Sequence, residues 1–494
     1  MYWLGWDAHA VTHWLDPLRM DYQQAPQGVS GVWNTSVLTL GIPMTPITLL
    51  FGTTASYNVL LILTPALSCW TASTWLRRHV STTAAALAAL LYGFSPYVLA
   101  HLVPGHLHLT FLAFIPVIVM LLEDLLVRSD RPLWPTAPLL GCALAVQFFI
   151  GSEILLILAL TAVPTILLLA ALRRDILRAR FKKVVLAGIA AVAVAVALLA
   201  YGLSEQFSNA YRIDRPIFPL DNYYASINNL FHATVALHFS AAASSTDRLN
   251  FTENGSFIGW TLLTVLVGSI VVQRKNLLVR VAAVVALIAL VCELNPHIID
   301  SSGGSFSLSP LAWVQQFVHL TGDILPVRFA SIFSLACSLI LAFGIQQAIG
   351  QLSIRRWVGI GSLAIVALGL LSILPGQSSP IGRVPDAPVF FTDGALQQIV
   401  PEGATVMVAP MSTVNNIDAE FWQTSSKMWF RQLGGYGLNN SGNGIPSYYP
   451  RQIFLIQQFS LGGDQQAFSG PTVPGMLVNA RKELFLSGAT FFIV

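Results

Sequence analysis

Residues 134 to 172 read WPTAPLLGCALAVQFFIGSEILLILALTAVPTILLLAAL, and Glu153 is their one charged residue. At 1.5 Å of rise per residue, a helix needs about 20 apolar residues to cross the roughly 30 Å hydrocarbon core of a bilayer. This stretch is long enough for two crossings, divided near Gly151-Ser152-Glu153. Working outward, comparable apolar runs occur near 54 to 76, 82 to 103, 108 to 127, 184 to 203, 256 to 273, 278 to 293, 328 to 350 and 357 to 375. The predicted fold is an all-α polytopic transmembrane bundle of about ten spans. The whole chain agrees: it is 54% hydrophobic and 10% charged over 494 residues, against roughly 25% charged in soluble domains.

The connections sort by charge. Arg77, Arg78, Arg128, Arg131, the run Arg173 to Lys183, Arg274, Lys275, Arg280, Arg355 and Arg356 fall in alternate loops, which the positive-inside rule places in the cytoplasm. Arg19, Arg212, Arg215, Arg248 and Arg328 remain on the outer side of the membrane region. The reading is therefore a multi-pass protein of the cell (plasma) membrane in contact with membrane lipids, with outer loops at 204 to 255 and 294 to 327. The net charge of +3, spread in short clusters, gives no continuous basic face for nucleic acid. Cys69, Cys142, Cys292 and Cys337 all lie in apolar runs, where a thiol behaves as a small hydrophobe.

Two segments flank the spans. Residues 1 to 53 fall outside with no preceding span. Either Thr35 to Phe51, with Pro43 and Pro46, is a broken or re-entrant span, or the chain begins upstream of Met1. Past Pro375 the composition becomes polar, with turn signals at Gly434-Gly435 and β-like runs at Ala404 to Ala409 and Ala489 to Val494. Residues 376 to 494 are predicted to form a small outer (extracytoplasmic) α/β domain. The sequon Asn250-Phe251-Thr252 carries no weight without a secretory glycosylation pathway.

Ionisable residues gather on the outer side. Asp7, His9, His13 and Asp16 lie within three helical turns, and His9 and His13 have the i, i+4 spacing of histidines that share a helix face. An amphipathic interfacial helix is the competing reading. In His101-Leu102-Val103-Pro104-Gly105-His106-Leu107-His108 a Pro-Gly turn holds two imidazoles able to take a phosphate or a metal, or simply to cap helices. Glu153 stands alone between apolar runs, a costly placement unless paired or used. Arg328 opens a span, where it can pair with Glu153, fork onto a phosphate oxygen, or snorkel to the interface. Glu253 adds a carboxylate at the same level.

The order of features then matters: an acidic outer segment, Ala25-Pro26-Gln27-Gly28-Val29 and Trp33-Asn34-Thr35-Ser36, the stretch Phe51-Gly52 to Tyr57-Asn58, Tyr92-Gly93-Phe94-Ser95-Pro96-Tyr97, and Gly105-His106-Leu107-His108-Leu109. Over roughly residues 1 to 375 this layout resembles the polytopic glycosyltransferases of the GT-C superfamily, particularly actinobacterial members. The resemblance implies transfer of a sugar from a polyprenyl-phosphate donor to an envelope acceptor on the outer face of the membrane. It implies an acidic base or metal ligand in the first large outer loop, which is Asp7 or, next, Asp16. His106, His108, Glu153, Glu253 and Arg328 are the expected substrate contacts, and a divalent metal ion is the one cofactor the resemblance leaves open. The chain departs from the family pattern in showing neither a span before that acid nor a Gly-Asp or Asp-Glu pair. The alternatives are a transporter or flippase of a lipid-linked envelope component, and a non-catalytic envelope assembly protein. Against transport stand the lack of an inverted repeat and of charges in series at mid-membrane.

Overall fold

The computed structural model describes residues 1–127, 132–172, 174–208, 210–217, 223–234, 236–239, 253, 255–294, 297–299, 305–307, 311, 314, 323–376, 386–412, 416–442, 444–448 and 488–493. Arg128, Arg131, Arg173, Arg248, the sequon at 250–252 and parts of both predicted outer loops lie outside the described residues. The chain divides into two compact units. Unit 1 takes residues 1–59, 199–217 and 382–494, and unit 2 takes 60–198 and 218–381.

Unit 2 is helical. Its helices run from α3 (Thr53–Leu76, begun in unit 1) through α4 (Thr82–Gly93), α5 (Pro96–Leu102), α6 (Leu107–Thr110), α7 (Phe114–Leu126), α8 (Leu133–Leu172) and α9 (Arg174–Gln206, finished in unit 1). There follow α10 (Gly259–Val272), α11 (Leu277–Glu293), α12 (Ala330–Ile354) and α13 (Arg356–Leu371). Caps fix several starts: the hydroxyls of Ser81 and Ser95 accept from the amides of Ala84 and Val98, and Asn276 Oδ1 accepts from Leu278 N, which satisfies amides the helix itself cannot. Pro96 at the first turn of α5 costs no hydrogen bond there.

Helix α12 lies at the centre of this unit. Fifteen of its residues are buried, all between Ala330 and Ala348, and it packs against α4, α10, α11 and α13, while its end at residues 352–354 is exposed. At Gly93 the α4 backbone meets α3 so closely that a Cβ would stand 2.6 Å from Cys69 Cβ and 2.7 Å from the Pro65 carbonyl.

Most of each stretch read as a span is helical, but 82 to 103 and 108 to 127 are each interrupted, and the elements differ in length. Among the described residues five helices are long and apolar enough to cross a membrane, and six if α4 and α5, bent by 44°, count as one span. Helices α10 and α13, of 14 and 16 residues, are shorter than a full crossing. The 40-residue α8 is one element only in name, because Gly151 leaves helical geometry at φ −166° and ψ 99°. The chain is a multi-pass helical protein.

Unit 1 brings sequence-distant segments together. Helix α1 (Tyr2–Thr12) packs on α2 (Leu38–Phe51), and β1 (Arg19–Met20) pairs antiparallel with β2 (Val29–Ser30). With Pro43 and Pro46 inside it, α2 has 14 residues. Toward the other end of the sequence, β3 (Thr405–Val408) sits between β4 (Arg431–Gln432) and β5 (Phe491–Ile493) in a parallel sheet, with Val406 opposite both Gln432 and Phe491. Helices α14 (Ala395–Ile399) and α15 (Asp418–Ser425) cover a core of Phe391, Leu396, Val400, Val406, Val408, Ala419 and Phe430.

Buried amides tie the segments of unit 1 together. Gln423 accepts from the Tyr2 hydroxyl at 2.6 Å and donates to the Tyr22 and Phe430 carbonyls, while Gln23 donates to Glu420 at 2.6 Å. Met20, Tyr22 and Val29 share a second core with Trp6, Ala10 and Met428.

Candidate functional site

The ionic groups of unit 2 meet at two levels. At the ends of α3 and α7 that adjoin the basic loops, Arg78 forks onto Asp124 at 2.8 and 3.2 Å and His79 stands 3.2 Å from Glu123. These are ion pairs at helix ends, and Asp124 is buried in its pair.

At the opposite ends of the helices, five side chains singled out in the sequence converge. Arg328, in the 3₁₀ turn Pro326–Phe329 that leads into α12, donates through Nη1 to Glu153 Oε2 and through Nη2 to Glu253 Oε1, the latter at 3.1 Å. Glu153 also accepts from Leu325 N at 2.9 Å. It reaches this position because α8 breaks at Gly151, whose neighbour across the break is the His108 carbonyl: a Cβ there would lie 2.3 Å from that oxygen. The break thus lets α6 and α8 touch backbone to backbone, which glycine alone permits.

The imidazoles complete the cluster. His101 Nε2 lies 3.6 Å from Glu253 Oε2, His101 Nδ1 lies 3.3 Å from His106 Nδ1, and the rings of His106 and His108 are 5.7 Å apart. His106, in the loop between α5 and α6, has its proton affinity lowered by burial and by the Arg328 charge, with Glu253 acting in the opposite sense. Tyr97 meets His101 edge-on at 4.7 Å. The cluster holds one guanidinium and two carboxylates, so with neutral imidazoles its formal charge is −1.

That charge alters the role expected of Arg328. Its fork is committed to two carboxylates, and a phosphate placed there would meet like charges. Of the readings the sequence allowed, the pairing with Glu153 is what the structure contains. His106 and His108 are the members not tied to a carboxylate.

Sequence reasoning passed over three further groups. His101 and Tyr97 lie one helical turn apart on α5, both buried. Glu293, wholly buried at the end of α11, accepts from the Ser256 hydroxyl. It carries the signal that marked Glu153, an acid at the edge of an apolar run.

In unit 1 the two acids proposed as the base stand in different settings. Asp7 is fully buried, neither carboxylate oxygen has a hydrogen-bond partner, and Gly41 of α2 lies so near that a Cβ would be 1.8 Å from Oδ2. Burial holds its proton affinity well above the ordinary carboxylate range. Asp16 keeps 29% of its side chain exposed. It accepts from Leu18 N at 2.9 Å and from the Tyr201 hydroxyl, with Arg19 Nε 3.9 Å away. Arg19 in turn forks onto Glu205, both bonds at 2.6 Å. Tyr201 and Glu205 belong to the end of α9 remote from Arg174, Lys182 and Lys183.

Among the described residues no group of three or more His, Cys, Asp or Glu side chains is disposed to hold an ion. His9 and His13 do share a helix face, stacked at 4.0 Å, but His13 Nδ1 contacts the His9 carbonyl at 2.9 Å. Burial, and His13 beside it, push the proton affinity of His9 down to about 4.

No protein-family model and no curated protein matches the chain. Among solved structures it is similar to the archaeal oligosaccharyltransferase AglB from Archaeoglobus fulgidus, in complex with an inhibitory peptide and a dolichol-phosphate, with 11% identity and a TM-score of 0.44. The match covers 99% of this chain, which spans 64% of the length of that one.

Proposed function

We propose that the chain is a membrane glycosyltransferase that moves a sugar from a polyprenyl-phosphate donor to an envelope acceptor on the outer face of the cell membrane, with Asp16 as general base. The observation that carries this reading is the setting of Asp16. It is a partly exposed carboxylate, fixed by a backbone amide and by Tyr201, at the end of a membrane-length helix whose other end is basic. The phosphate of a polyprenyl donor lies at that interface, because its chain is held in hydrocarbon.

The chemistry follows from the carboxylate. An acceptor hydroxyl attacks the anomeric carbon, its proton passes to Asp16, the new glycosidic bond forms, and the bond to phosphate oxygen breaks to release polyprenyl phosphate. Asp7 is enclosed between α1 and α2 and reaches an acceptor only if those helices part, so it ranks second. In unit 2, taken by itself, Arg328, Glu153 and Glu253 anchor the segments that carry His106 and His108. We place residues 1 to 53 and 376 to 494 outside the membrane on the strength of the basic loops at the opposite helix ends.

The test is incorporation of labelled sugar from a panel of polyprenyl-phosphate donors by the full chain in membranes. Asp16→Asn is expected to lower turnover by about 10²- to 10⁴-fold with an unchanged melting temperature. Transfer by Asp16→Asn at the rate of the unaltered protein removes Asp16 as the base, and folded protein that uses no donor in the panel overturns the reading.

A further inference from the structure

The contact between His101 and His106 is unusual in its atoms. Two Nδ1 nitrogens face each other at 3.3 Å, and a ring nitrogen either bears a hydrogen or accepts one. Such a contact is cohesive only if one of the two carries a proton. On its other edge His101 presents Nε2 to Glu253 Oε2 at 3.6 Å, an oxygen that has no hydrogen-bond partner. A neutral His101 with hydrogen on Nε2 has a bare Nδ1, so His106 must then supply Nδ1–H.

The surroundings favour a mobile proton. Glu153, Glu253 and Arg328 sum to −1 with neutral rings and to zero when one further proton is bound, and an apolar interior disfavours uncompensated charge. Among the described residues, the titratable and charged groups facing the pair are Tyr97, Glu253, His108 and Arg328, with Glu153 behind Arg328. His101 is 1% exposed, whereas His106 is partly exposed in the loop after Gly105. A path therefore runs from a loop to a buried acid.

We propose that His106, His101 and Glu253 form a proton relay that carries one proton from the loop between α5 and α6 into the interior of unit 2. A proton taken from water by His106 Nε2 releases the His106 Nδ1 proton to His101 Nδ1. His101 then releases its Nε2 proton to Glu253 Oε2. Each ring ends with the number of protons it began with, its tautomer reversed, and Glu253 ends neutral while Arg328 remains paired with Glu153. The relay goes beyond the glycosyltransferase reading and stands or falls separately from it.

The test is nitrogen-15 magnetic resonance of the full chain, labelled at histidine and held in lipid nanodiscs, with His101→Gln and His106→Gln used for assignment. At pH 8 the expected result is a His106 tautomer protonated at Nδ1 beside a His101 tautomer protonated at Nε2. Glu253→Gln is expected to lower the pH at which His106 titrates by about one unit, the effect of removing a nearby opposite charge. Two bare Nδ1 atoms in the unaltered protein, or a His106 titration that ignores Glu253→Gln, would overturn the relay. If Glu253→Gln does not fold, the tautomers of the unaltered protein decide the matter alone.

Discussion

Two ion clusters in this protein have the same inventory, one guanidinium and two carboxylates, in opposite surroundings. Arg19, with Glu205 and Asp16, is 56% exposed at its side chain, whereas Arg328, with Glu153 and Glu253, is 12% exposed among apolar helices. The first guanidinium stands largely in water and can let go of the partly exposed Asp16 at little cost, although Glu205 is 5% exposed. In the interior the second cannot, because each carboxylate left behind would be a buried charge without compensation. The same three groups thus leave one partner exchangeable in unit 1 and none in unit 2.

The comparison breaks most visibly at Arg328. Arg328→Ala is expected to cost about 3 to 5 kcal/mol, read as lost thermal stability or lost accumulation in membranes, and to be insensitive to salt. A loss below 1 kcal/mol would show that water reaches both carboxylates.

Glu420 extends the comparison to a buried acid that faces the Met1 amine and is hydrogen-bonded by Gln23 and Tyr436 N. Burial raises its pKa from 4.5 to about 7, against the opposing hydrogen bonds from Tyr436 N and Gln23. Because the folded form holds the proton more tightly than the unfolded one, this contribution is complete below about pH 4.5 and is lost as pH rises through 7. The total is roughly 3 kcal/mol. Melting temperature followed from pH 5 to 8 should fall, and Glu420→Gln should flatten that slope.

Asp7 tests space rather than charge. Gly41→Ala would drive a methyl into its carboxylate and is expected to cost about 1 to 3 kcal/mol. The cost should shrink in an Asp7→Ala background, where the space is free, and an equal cost in both backgrounds would show that the two residues do not press on one another. The smallest effect belongs to Arg19→Ala, about 1 to 2 kcal/mol because Glu205 is itself only 5% exposed. Salt at 1 M should erase part of it, in contrast to Arg328.

The helical segments were legible because apolar length is a local property that survives without knowledge of neighbours. The gathering of Glu153, Glu253, Arg328, His106 and His108 was legible for a related reason: each is a polar residue at the edge of an apolar run, and the alternation of basic loops puts those edges at one level. What could not be read is pairing. Nothing local says that Arg328 is shared by two acids, or that Glu293 finds Ser256. Exposure was equally hidden, since Asp7 and Asp16 lie on one short segment and only the packing of α2 separates them. The joining of residues 1–59 with 382–494 left no mark on composition at all.

That joining has a consequence in time. Gln23 and Glu420 are 397 residues apart along the chain, and synthesis proceeds at about 5 to 20 residues per second. The first segment therefore waits roughly 20 to 80 s before its partner exists, with Trp6, Met20 and Tyr22 lacking the Met428 contact that completes their core. During that interval unit 2 can already be inserting. Any factor that shields a half-built apolar surface on a nascent chain has its longest opportunity here, and a pause in translation before codon 420 would lengthen it.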